Sequence, residues 1–319
     1  MSSANASNEW VHIPVLAREV VEHLSAVKPL ERMIDGTLGN GGHTRLMLEN
    51  NPQLHILGID RDTAALERAK KNLADFGDRF TAVHGEFADL DILAKEHNWD
   101  SVDAVLLDIG VSSPQIDDPS RGFSFRNDGP LDMRMDRTGK LTASRVVNMY
   151  AEEDLARIFY EYGELRESRQ LARALVQARE LKPLATTAEL AAVCDKVLRK
   201  KRPGELPSPT RVFQALRIEV NGELKQLKNG LNAAENILRP GGRLAVISFH
   251  SLEDRIVKNF FREAARECIC PPGLPVCVCN NHARFEIPLR GVISAAEDEL
   301  SANRRSASAK LRVADRKGR

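Results

Sequence analysis

The chain has 319 residues, 42% of them hydrophobic and 29% charged, with a formal net charge of +1. This composition is typical of a soluble globular protein, and no apolar run reaches the ~18 residues of a membrane helix. The polar N-terminus lacks the basic start and apolar stretch of a signal peptide, so we expect a cytoplasmic protein without a membrane partner. Five cysteines in so long a chain do not suggest a disulfide scaffold.

The first 111 residues alternate short apolar runs with helical patterns, as in the βαβ units of a parallel sheet. The predicted strands are residues 33–35, 55–60, 79–84 and 102–108, and the predicted helices are 42–49 and 63–76. This alternation stops after Asp108. Residues 112–145 are rich in Gly, Pro, Asp, Arg and Phe, which predicts long loops. Residues 151–202 carry Leu, Ala and Val at helical spacing.

The alternation resumes with a predicted helix over residues 219–238, a stop at 240–242 and a buried strand over 243–249. A helical insertion within one α/β sheet explains this order better than two tandem domains. We therefore predict a sheet domain from residues 1–111 and 218–303, and an inserted, mainly helical domain over 112–217. The last 40 residues look irregular, and 304–319 form a predicted basic tail.

Charge is unevenly distributed along the chain. Residues 1–111 have a net charge of −8, residues 112–217 of +4 and residues 304–319 of +6. An acidic first third with a basic middle and end fits a polyanionic partner that is held away from the sheet domain. Charged runs are also common on ordinary solvated surfaces, and charge alone does not separate these two interpretations.

A glycine-rich loop, DGTLGNGGH over residues 35–43, follows the first predicted strand and opens a helix. Glycines there let the backbone approach a ligand closely, although they also occur in simple turns. Asp60 ends the second predicted strand, where a carboxylate can accept both hydroxyl protons of an adenosine ribose or cap the helix at Thr63. Nicotinamide dehydrogenases bind ribose in the same way, so these residues do not separate the two classes.

Three features favour methyl transfer. The loop lacks the G-x-G-x-x-G spacing that suits a pyrophosphate. A polar loop, DIGVSSPQ over residues 108–115, follows the fourth predicted strand at the edge where α/β ligands bind. The helix stop and strand in LRPGGRL, residues 238–244, are frequent late in methyltransferase folds. We therefore predict an α/β fold: a Rossmann-like class I methyltransferase sheet with an inserted helical domain, using S-adenosyl-L-methionine.

Eight short motifs are distributed over nearly the whole chain. They are residues 12–16 (HIPVL), 35–43 (DGTLGNGGH), 58–62 (GIDRD), 107–115 (LDIGVSSPQ), 121–125 (RGFSF), 129–136 (GPLDMRMD), 211–224 and 247–255 (ISFHSLEDR). With these motifs in family order, the sequence resembles the bacterial 16S rRNA (cytosine-N4) methyltransferase family. GPLDMRMD and SFHSLEDR are distinctive of that family.

The resemblance implies a Rossmann-like core, a helical RNA-recognition insertion and 16S rRNA of the small ribosomal subunit as partner, with no DNA partner. The implied target is N4 of a decoding-region cytosine that another enzyme also methylates on its ribose. The residues that the resemblance places on the cofactor are Gly41, Gly42, His43, Asp60, Phe87, Asp108 and Gln115. Phe87 follows the third predicted strand, where it could contact an adenine ring or belong to the core.

Cytosine's exocyclic amine is a poor nucleophile because its lone pair is delocalised into the ring. A catalyst must position the amine and accept its hydrogen bonds, so that the nitrogen rehybridises and loses a proton. Asp108 is the predicted catalytic residue, with the turn at 112–114 beside it. No metal is assigned to this chemistry. Methylation of DNA or of another RNA, and a non-catalytic RNA-binding role, are the remaining alternatives.

The loop at 112–115 resembles the Asp/Ser-Pro-Pro-aromatic loop of amino-group methyltransferases, but Gln115 occupies the place of the aromatic residue. Phe123 or Phe125 could stack on the target base instead, a contact worth ~1–3 kcal/mol. Ordinary packing beneath a loop is the alternative for both.

Three further groups of residues carry open predictions. His250, Glu253, Asp254 and Arg255 could order a loop or contact phosphate. The alternative is a capped helix that starts at Ser251, with Glu253 and Asp254 in its first turn. Four cysteines could bind zinc as a tetrathiolate, stay unligated or form a reversible disulfide. They are Cys268, Cys270, Cys277 and Cys279. Two basic clusters could contact RNA phosphates. They are Lys196, Arg199, Lys200, Lys201 and Arg202, and Arg304, Arg305, Lys310 and Arg312.

Overall fold

The computed structural model describes residues 14–198 and 208–318, apart from Gly273, Pro275 and Arg290. The described residues form two compact units. The first contains the chain up to Asp60, Ala64–Ile109 and the chain from Leu231 onward, and the second contains Arg61–Thr63 and Gly110–Gly230. Within this described part, no helix is long and apolar enough to cross a membrane.

Seven strands among the described residues form one sheet in the first unit, in the order β3-β2-β1-β4-β5-β7-β6. They are β1 (Arg32–Asp35), β2 (His55–Asp60), β3 (Phe80–His84), β4 (Val102–Asp108), β5 (Leu238–Ser248), β6 (Phe285–Glu286) and β7 (Lys310–Arg316). The neighbours from β3 to β5 pair in parallel, whereas β7 is antiparallel to both β5 and β6. The strands predicted around β1 to β4 therefore form, with ends shifted by at most a residue.

The sheet is buried along its centre, where six of the seven residues of β4 are buried. The helices of the same unit that flank the strands in sequence are α1 (Ala17–Ser25), α2 (Gly42–Asn50), α3 (Thr63–Asn72), α4 (Leu90–Glu96), α12 (Ser251–Ala264) and α13 (Glu297–Ala302). The core contains Leu24, Met47, Ile56, Leu106 and Leu311, each of which is almost without solvent exposure. Burial on this scale is the main stabilising contribution to such a sheet.

The second unit is mainly helical. Its helices are α5 (Ser113–Asp117), α6 (Ala143–Met149), α7 (Glu152–Glu161), α8 (Ser168–Leu181), α9 (Thr187–Val197) and α10 (Ser208–Asn221). Leu155 and Phe159 of α7, Leu171 of α8 and Leu190 of α9 meet in one buried cluster. Helix α9 begins with a capping box, in which Thr186 accepts from the Glu189 amide at 3.3 Å and Glu189 accepts from the Thr186 amide at 3.1 Å.

Glycines explain where two predicted helices differ from the structure. The helix predicted over 63–76 ends at Asn72, and a 3-10 turn with Gly77 at φ 54° leads into β3. The helix predicted over 219–238 is interrupted at Gly222, which has φ 60° and separates α10 from α11 (Glu223–Ile237). The stop predicted at 240–242 lies instead inside β5, with Gly241 at φ 78°.

The prediction that the last 40 residues are irregular is wrong. Residues 310–316 form β7, which lies between β5 and β6 in the sheet. Leu311 and Val313 are buried in the core of the first unit. Two of the basic side chains of β7 have an acidic partner within the same unit: Arg312 donates to Asp254 at 2.8 Å and Lys310 donates to Asp254 at 3.4 Å. Residues 310–313 alternate polar and apolar side chains, the period-two pattern of a half-buried strand, and the prediction missed this signal because it followed the basic composition of the segment.

Candidate active site

The carboxyl ends of three neighbouring strands bring acidic residues to one edge of the sheet. Asp35 ends β1, Asp60 ends β2 and Asp108 ends β4. In the register, Asp35 is level with Gly58 of β2 and Leu106 of β4. Both neighbouring strands continue two residues further, so Asp60 and Asp108 flank the loop that leaves β1. This edge is where ligands bind in open α/β sheets.

The glycine-rich loop after β1 is held against this edge by its backbone. The Gly36 amide donates to the Leu106 carbonyl at 2.9 Å, and the Leu38 amide donates to the Ile59 carbonyl at 3.0 Å. A Cβ atom at Gly36 would lie 2.6 Å from the Leu107 side chain, so only glycine lets the loop lie this close. Gly41 has φ 82° and is the N-cap of α2, a left-handed conformation that also favours glycine.

Asp60 is fixed by the loop that it flanks. Its Oδ2 atom accepts a hydrogen bond from the Gly39 amide at 2.8 Å. A carboxylate has two oxygens with several acceptor sites, and the vicinal hydroxyls of a ribose are donors of the kind that it accepts. The predicted role of Asp60 as a ribose acceptor fits this position, in which strand end and glycine loop meet.

Asp35 is buried beneath the loop and is not one of the residues predicted to bind. Its carboxylate accepts from the Thr44 hydroxyl at 2.7 Å and from the Thr37 amide at 3.2 Å. Burial raises the pKa of Asp35 to about 6, although the hydrogen bond from Thr44 and the nearby His43 oppose this shift. The sequence signal that could have identified Asp35 is its position as the acidic first residue of the DGT triplet, at the end of an apolar strand.

His43 and Asp108 lie close together at the N-terminus of α2. The His43 Nε2 atom lies 3.5 Å from Asp108 Oδ2, and the Asp108 amide donates to the Thr37 hydroxyl at 2.6 Å. Both ring nitrogens of His43 and the Oδ1 atom of Asp108 are buried without a hydrogen-bond partner in the described chain. Unsatisfied buried polar atoms are rare in folded proteins, and several at one sheet edge indicate that a polar ligand completes them.

The other predicted residues of the first unit lie in the glycine-rich loop or next to it. Phe87 is half-buried in a 3-10 turn after β3, and its Cβ atom would lie 3.1 Å from a Cβ atom placed on Gly36. At Gly42, the first residue of α2, such an atom would lie 3.2 Å from Pro14. Gly41, Gly42, His43, Asp60, Phe87 and Asp108 thus all belong to the first unit.

Gln115, the seventh predicted cofactor residue, belongs to the second unit. Its side chain is buried, and its Oε1 atom accepts from the Ser112 amide at 3.1 Å in the capping box of α5. Its Nε2 atom donates to Asp62 at 2.9 Å. These bonds give Gln115 a structural role within its own unit, and a contact from it to a cofactor stays a prediction.

A buried ion pair in the second unit was missed by sequence reasoning. Arg121 donates to Asp62 at 2.9 Å and to the carbonyls of Arg134 and Met135 at 3.0 and 2.9 Å. The exposed fractions of the Arg121 and Asp62 side chains are only 8% and 5%. The sequence signal that could have identified this pair is the presence of opposite charges in two of the family motifs, GIDRD and RGFSF.

Phe123 and Phe125, the candidates for base stacking, both pack against the helical core. The rings of Phe125 and Phe213 meet edge to face with centroids 5.1 Å apart. The Arg121 guanidinium lies over the ring of Phe123, at 5.8 Å from its centroid. These contacts favour the packing alternative, most clearly for Phe125.

The motif around His250 forms a helix start. Glu253 is buried and accepts from the amides of Phe249 and His250, at 2.8 and 3.2 Å, in the capping box of α12. Asp254 pairs with Arg312 at 2.8 Å and with Lys310 at 3.4 Å. The capped-helix alternative is confirmed, and two of the basic residues predicted to contact phosphate instead pair within the protein.

Other predicted features lie outside the described residues. These are residues 12 and 13 of the first motif and Arg199, Lys200, Lys201 and Arg202 of the first basic cluster. Lys196 of that cluster is described and lies exposed on α9.

The sheet order with an antiparallel β7, the glycine loop after β1 and the acidic ends of β2 and β4 together define a class I, Rossmann-like methyltransferase. The loop and the unsatisfied polar atoms fit S-adenosylmethionine, whose ribose and amino acid groups supply hydroxyl, ammonium and carboxylate partners. The chain belongs to the MraW methylase family, whose sequence profile matches residues 9–317.

Similar proteins match along nearly their whole length. The Ribosomal RNA small subunit methyltransferase H of Carboxydothermus hydrogenoformans is 49% identical over 313 residues, which cover 97% of this chain and 98% of that protein. The protein of the same name from Syntrophotalea carbinolica is 50% identical over 304 residues, covering 95% and 96%. A solved structure of an rRNA methylase from Streptococcus thermophilus aligns with a TM-score of 0.41 at 10% identity, covering 97% of this chain and 100% of that one.

The predicted enzyme class is confirmed by this family. The chain is an S-adenosylmethionine-dependent methyltransferase with a Rossmann-like class I fold. The alternative of a nicotinamide-dependent dehydrogenase is therefore wrong.

Proposed function

We propose that this enzyme methylates N4 of one cytosine in the decoding region of 16S rRNA, within the small ribosomal subunit. The observation that carries the proposal is Asp108, whose buried Oδ1 atom lacks a partner among the described residues at the end of β4, beside the glycine loop. The acceptor atom and the decoding region follow from the family motifs, and the names of the similar proteins agree with a small-subunit RNA. The cytoplasm, where ribosomal subunits are found, is the proposed place of action.

The proposed chemistry assigns Asp108 to the amine. S-adenosylmethionine supplies a methyl group that its sulfonium centre already activates, so no covalent enzyme intermediate is required. Asp108 accepts a hydrogen bond from the exocyclic amine, which returns electron density to the nitrogen, and then receives or passes on the proton that N4 loses. The Thr37 hydroxyl fixes the Asp108 backbone from the neighbouring loop. Positioning of this kind can supply several kcal/mol, up to ~7–11 in favourable cases.

Cofactor binding is proposed for the other residues of the same edge. Asp60 accepts the ribose hydroxyls, Phe87 lies against the adenine, and Gly41 and Gly42 allow the backbone of the loop to approach the amino acid portion. His43 supplies ring nitrogens that are without partners in the described chain. Gln115 forms the capping box of α5, and its predicted contact with the cofactor is part of the proposal.

RNA recognition is proposed for the helical unit. It carries several exposed basic side chains that can contact phosphates. They are Arg126, Arg137, Lys140, Arg166, Arg169 and Lys196. Replacing Arg166 and Arg169 with Gln should weaken RNA binding and lower the slope of log K against log salt by about 0.7–0.9 per lost contact. Replacing the exposed Lys28 and Lys95 of the first unit is the matched control, and an unchanged slope for Arg166 and Arg169 would remove these two from the proposed interface.

The decisive experiment is transfer of labelled methyl from S-adenosylmethionine to small ribosomal subunits from a strain that lacks the enzyme. Mapping of the modified nucleotide should place the label on N4 of a single decoding-region cytosine. Label on a ribose, on another base or on DNA would contradict the proposed acceptor. Cofactor binding without any transfer to subunits or to free RNA would favour a non-catalytic role.

A further inference from the structure

The segment between α12 and β6 is an irregular loop of the first unit, and its two ends lie next to each other. The Arg284 amide donates to the Ala264 carbonyl at 2.7 Å, so the two ends of the segment lie side by side. At this base, the Ala283 amide donates to Glu267 at 3.3 Å, and Lys317 pairs with Glu267 at 2.8 Å. Between 265 and 284, none of the described residues belongs to a helix or strand. Regular backbone hydrogen bonding therefore does not hold the tip of the segment.

Burial does not hold it either. The apolar side chains near the tip face solvent, with exposed fractions of 53% for Ile269, 49% for Leu274, 69% for Val276 and 70% for Val278. Hydrophobic stabilisation scales with the apolar area removed from water, and here most of that area remains exposed. A compact loop that has neither regular backbone hydrogen bonds nor a buried core needs another stabilising interaction. In small irregular segments this interaction is a disulfide cross-link or a bound metal.

Four sulfur atoms meet at this tip. Cys277 Sγ lies 3.5 Å from Cys268 Sγ, 3.5 Å from Cys279 Sγ and 3.9 Å from Cys270 Sγ. Cys279 Sγ lies 3.8 Å from Cys268 Sγ, and all four sulfurs lie within 4.8 Å of one another. A tetrahedron with metal–sulfur bonds of about 2.3 Å has sulfur–sulfur edges of about 3.8 Å, the size of this cluster.

Backbone amides of the segment point at the same sulfurs. The Ile269 amide donates to Cys279 at 3.3 Å, and the amides of Cys270 and Val278 donate to Cys268 and Cys270, both at 3.4 Å. Such donors stabilise negative charge on sulfur and orient it, as the hydrogen bonds around metal-bound ligands do. Each half of the cluster is a C-x-C pair, so each pair presents its two sulfurs to the pair from the other half.

We propose that Cys268, Cys270, Cys277 and Cys279 bind one Zn²⁺ as a structural tetrathiolate site. Four protein ligands leave no open position, so the ion has no part in methyl transfer and instead fixes the segment between α12 and β6. A disulfide requires two sulfurs at about 2.05 Å, and the near-equal spacing of the four atoms singles out no pair for it. Zinc is favoured over iron because the site needs no redox chemistry, although both accept tetrahedral sulfur.

The first test is metal analysis of the full-length protein, purified under reducing conditions without added metal. It should contain about one zinc ion per chain. Cys277→Ser should lose most of that zinc, whereas Cys194→Ala, which removes the buried thiol of the helical unit, should keep it. Iron in place of zinc, or four reactive thiols with no metal, would overturn the proposal. So would a disulfide between any two of the four cysteines.

A second measurement stays informative if Cys277→Ser fails to fold. Cobalt exchanged into the unmutated full-length protein should give the visible absorption of tetrahedral cobalt bound to thiolates, and added zinc should displace it. Limited proteolysis should then cleave within residues 268–279 faster after a strong chelator has removed the metal. An octahedral cobalt spectrum, or equal cleavage before and after chelation, would contradict a tetrathiolate that fixes this segment.

Discussion

The imidazole Nε2 atom of His43 lies 3.5 Å from a carboxylate oxygen of Asp108, across the opening of α2. Neither ring nitrogen has a hydrogen-bond partner among the described residues, and the second oxygen of Asp108 is equally unsatisfied. Two neighbouring polar groups that keep their hydrogen-bonding capacity are suited to a ligand that carries both donors and acceptors. The proposed roles of both residues rest on this arrangement.

Asp108→Asn should lower the rate of methyl transfer at saturating cofactor by about 10²–10⁴-fold, because an amide cannot accept a proton from the amine. Binding of S-adenosylhomocysteine, measured by titration calorimetry, should change much less. Asp100→Asn is the matched control, since Asp100 is exposed just before the opposite end of the same strand. A full rate for Asp108→Asn would remove its catalytic role.

Asp60→Ala should weaken binding of S-adenosylhomocysteine by about tenfold or more, because a hydrogen bond to a charged group contributes ~1.5–3 kcal/mol. Part of this loss comes from the Gly39 amide, which donates to Asp60 at 2.8 Å. Asp91→Ala, which removes a carboxylate of α4 that accepts from Asn236, is the control. Equal affinities for the two variants would contradict a role for Asp60 in ribose recognition.

Asp35→Asn tests the raised pKa of a buried acid. Because the pKa of Asp35 is about 6 when folded and 3.8 in its ordinary state, the folded protein holds this proton more tightly. Ionisation therefore destabilises the fold as pH rises through this window, by about 3 kcal/mol in total. The free energy of unfolding of the variant relative to the unmutated protein should increase by most of that amount between pH 3.8 and pH 6.

Denaturant unfolding of both proteins at a series of pH values provides this comparison. Asn keeps one acceptor oxygen, so the variant loses one of the two hydrogen bonds that Asp35 accepts from Thr37 and Thr44, and this loss does not depend on the ionisation of residue 35. The pH dependence of the difference is therefore the informative quantity. A difference that does not change over this range would show that Asp35 ionises normally.

Arg121→Met should destabilise the helical unit by about 3–5 kcal/mol, because it removes the guanidinium that pairs with the buried Asp62 carboxylate, while the hydrogen bond from Gln115 to Asp62 remains. The double variant Arg121→Met/Asp62→Asn should be less destabilised than the sum of the two single variants. Arg157→Ala is the control, since its pairs with Asp154 and Glu161 are exposed and worth at most ~1 kcal/mol. Helical circular dichroism during denaturation measures all four variants, and additive single effects would contradict the coupling.

The strand ends were predictable because their signals are local. Short apolar runs define β1, β2 and β4, and the acidic residue that closes each run must lie at the carboxyl edge of a parallel sheet. Asp60 and Asp108 could therefore be located from the sequence alone. The glycine loop was equally visible, since its function depends on consecutive residues.

Long-range partners could not be predicted in the same way. Asp315 of β7 accepts from Arg243 of β5 at 2.8 Å, a pair that no local pattern reveals. Gln115 was expected at a cofactor, and its buried bonds to Ser112 and Asp62 became visible only in three dimensions. The closeness of the two C-x-C pairs was likewise undecided, because the number of residues between them does not determine how a loop folds.

The position of β7 between β5 and β6 determines when this enzyme can first become active. Protein synthesis releases the chain from its N-terminus, and domains generally fold as units while this proceeds. The helical unit, whose residues end at Gly230, can be complete while the sheet still lacks β5, β6 and β7. Until residues 310–316 leave the ribosome, β5 has an unpaired edge, which is prone to aggregation. A chain that lacks residues 310–316 would therefore be a misfolded product rather than a slightly shortened enzyme.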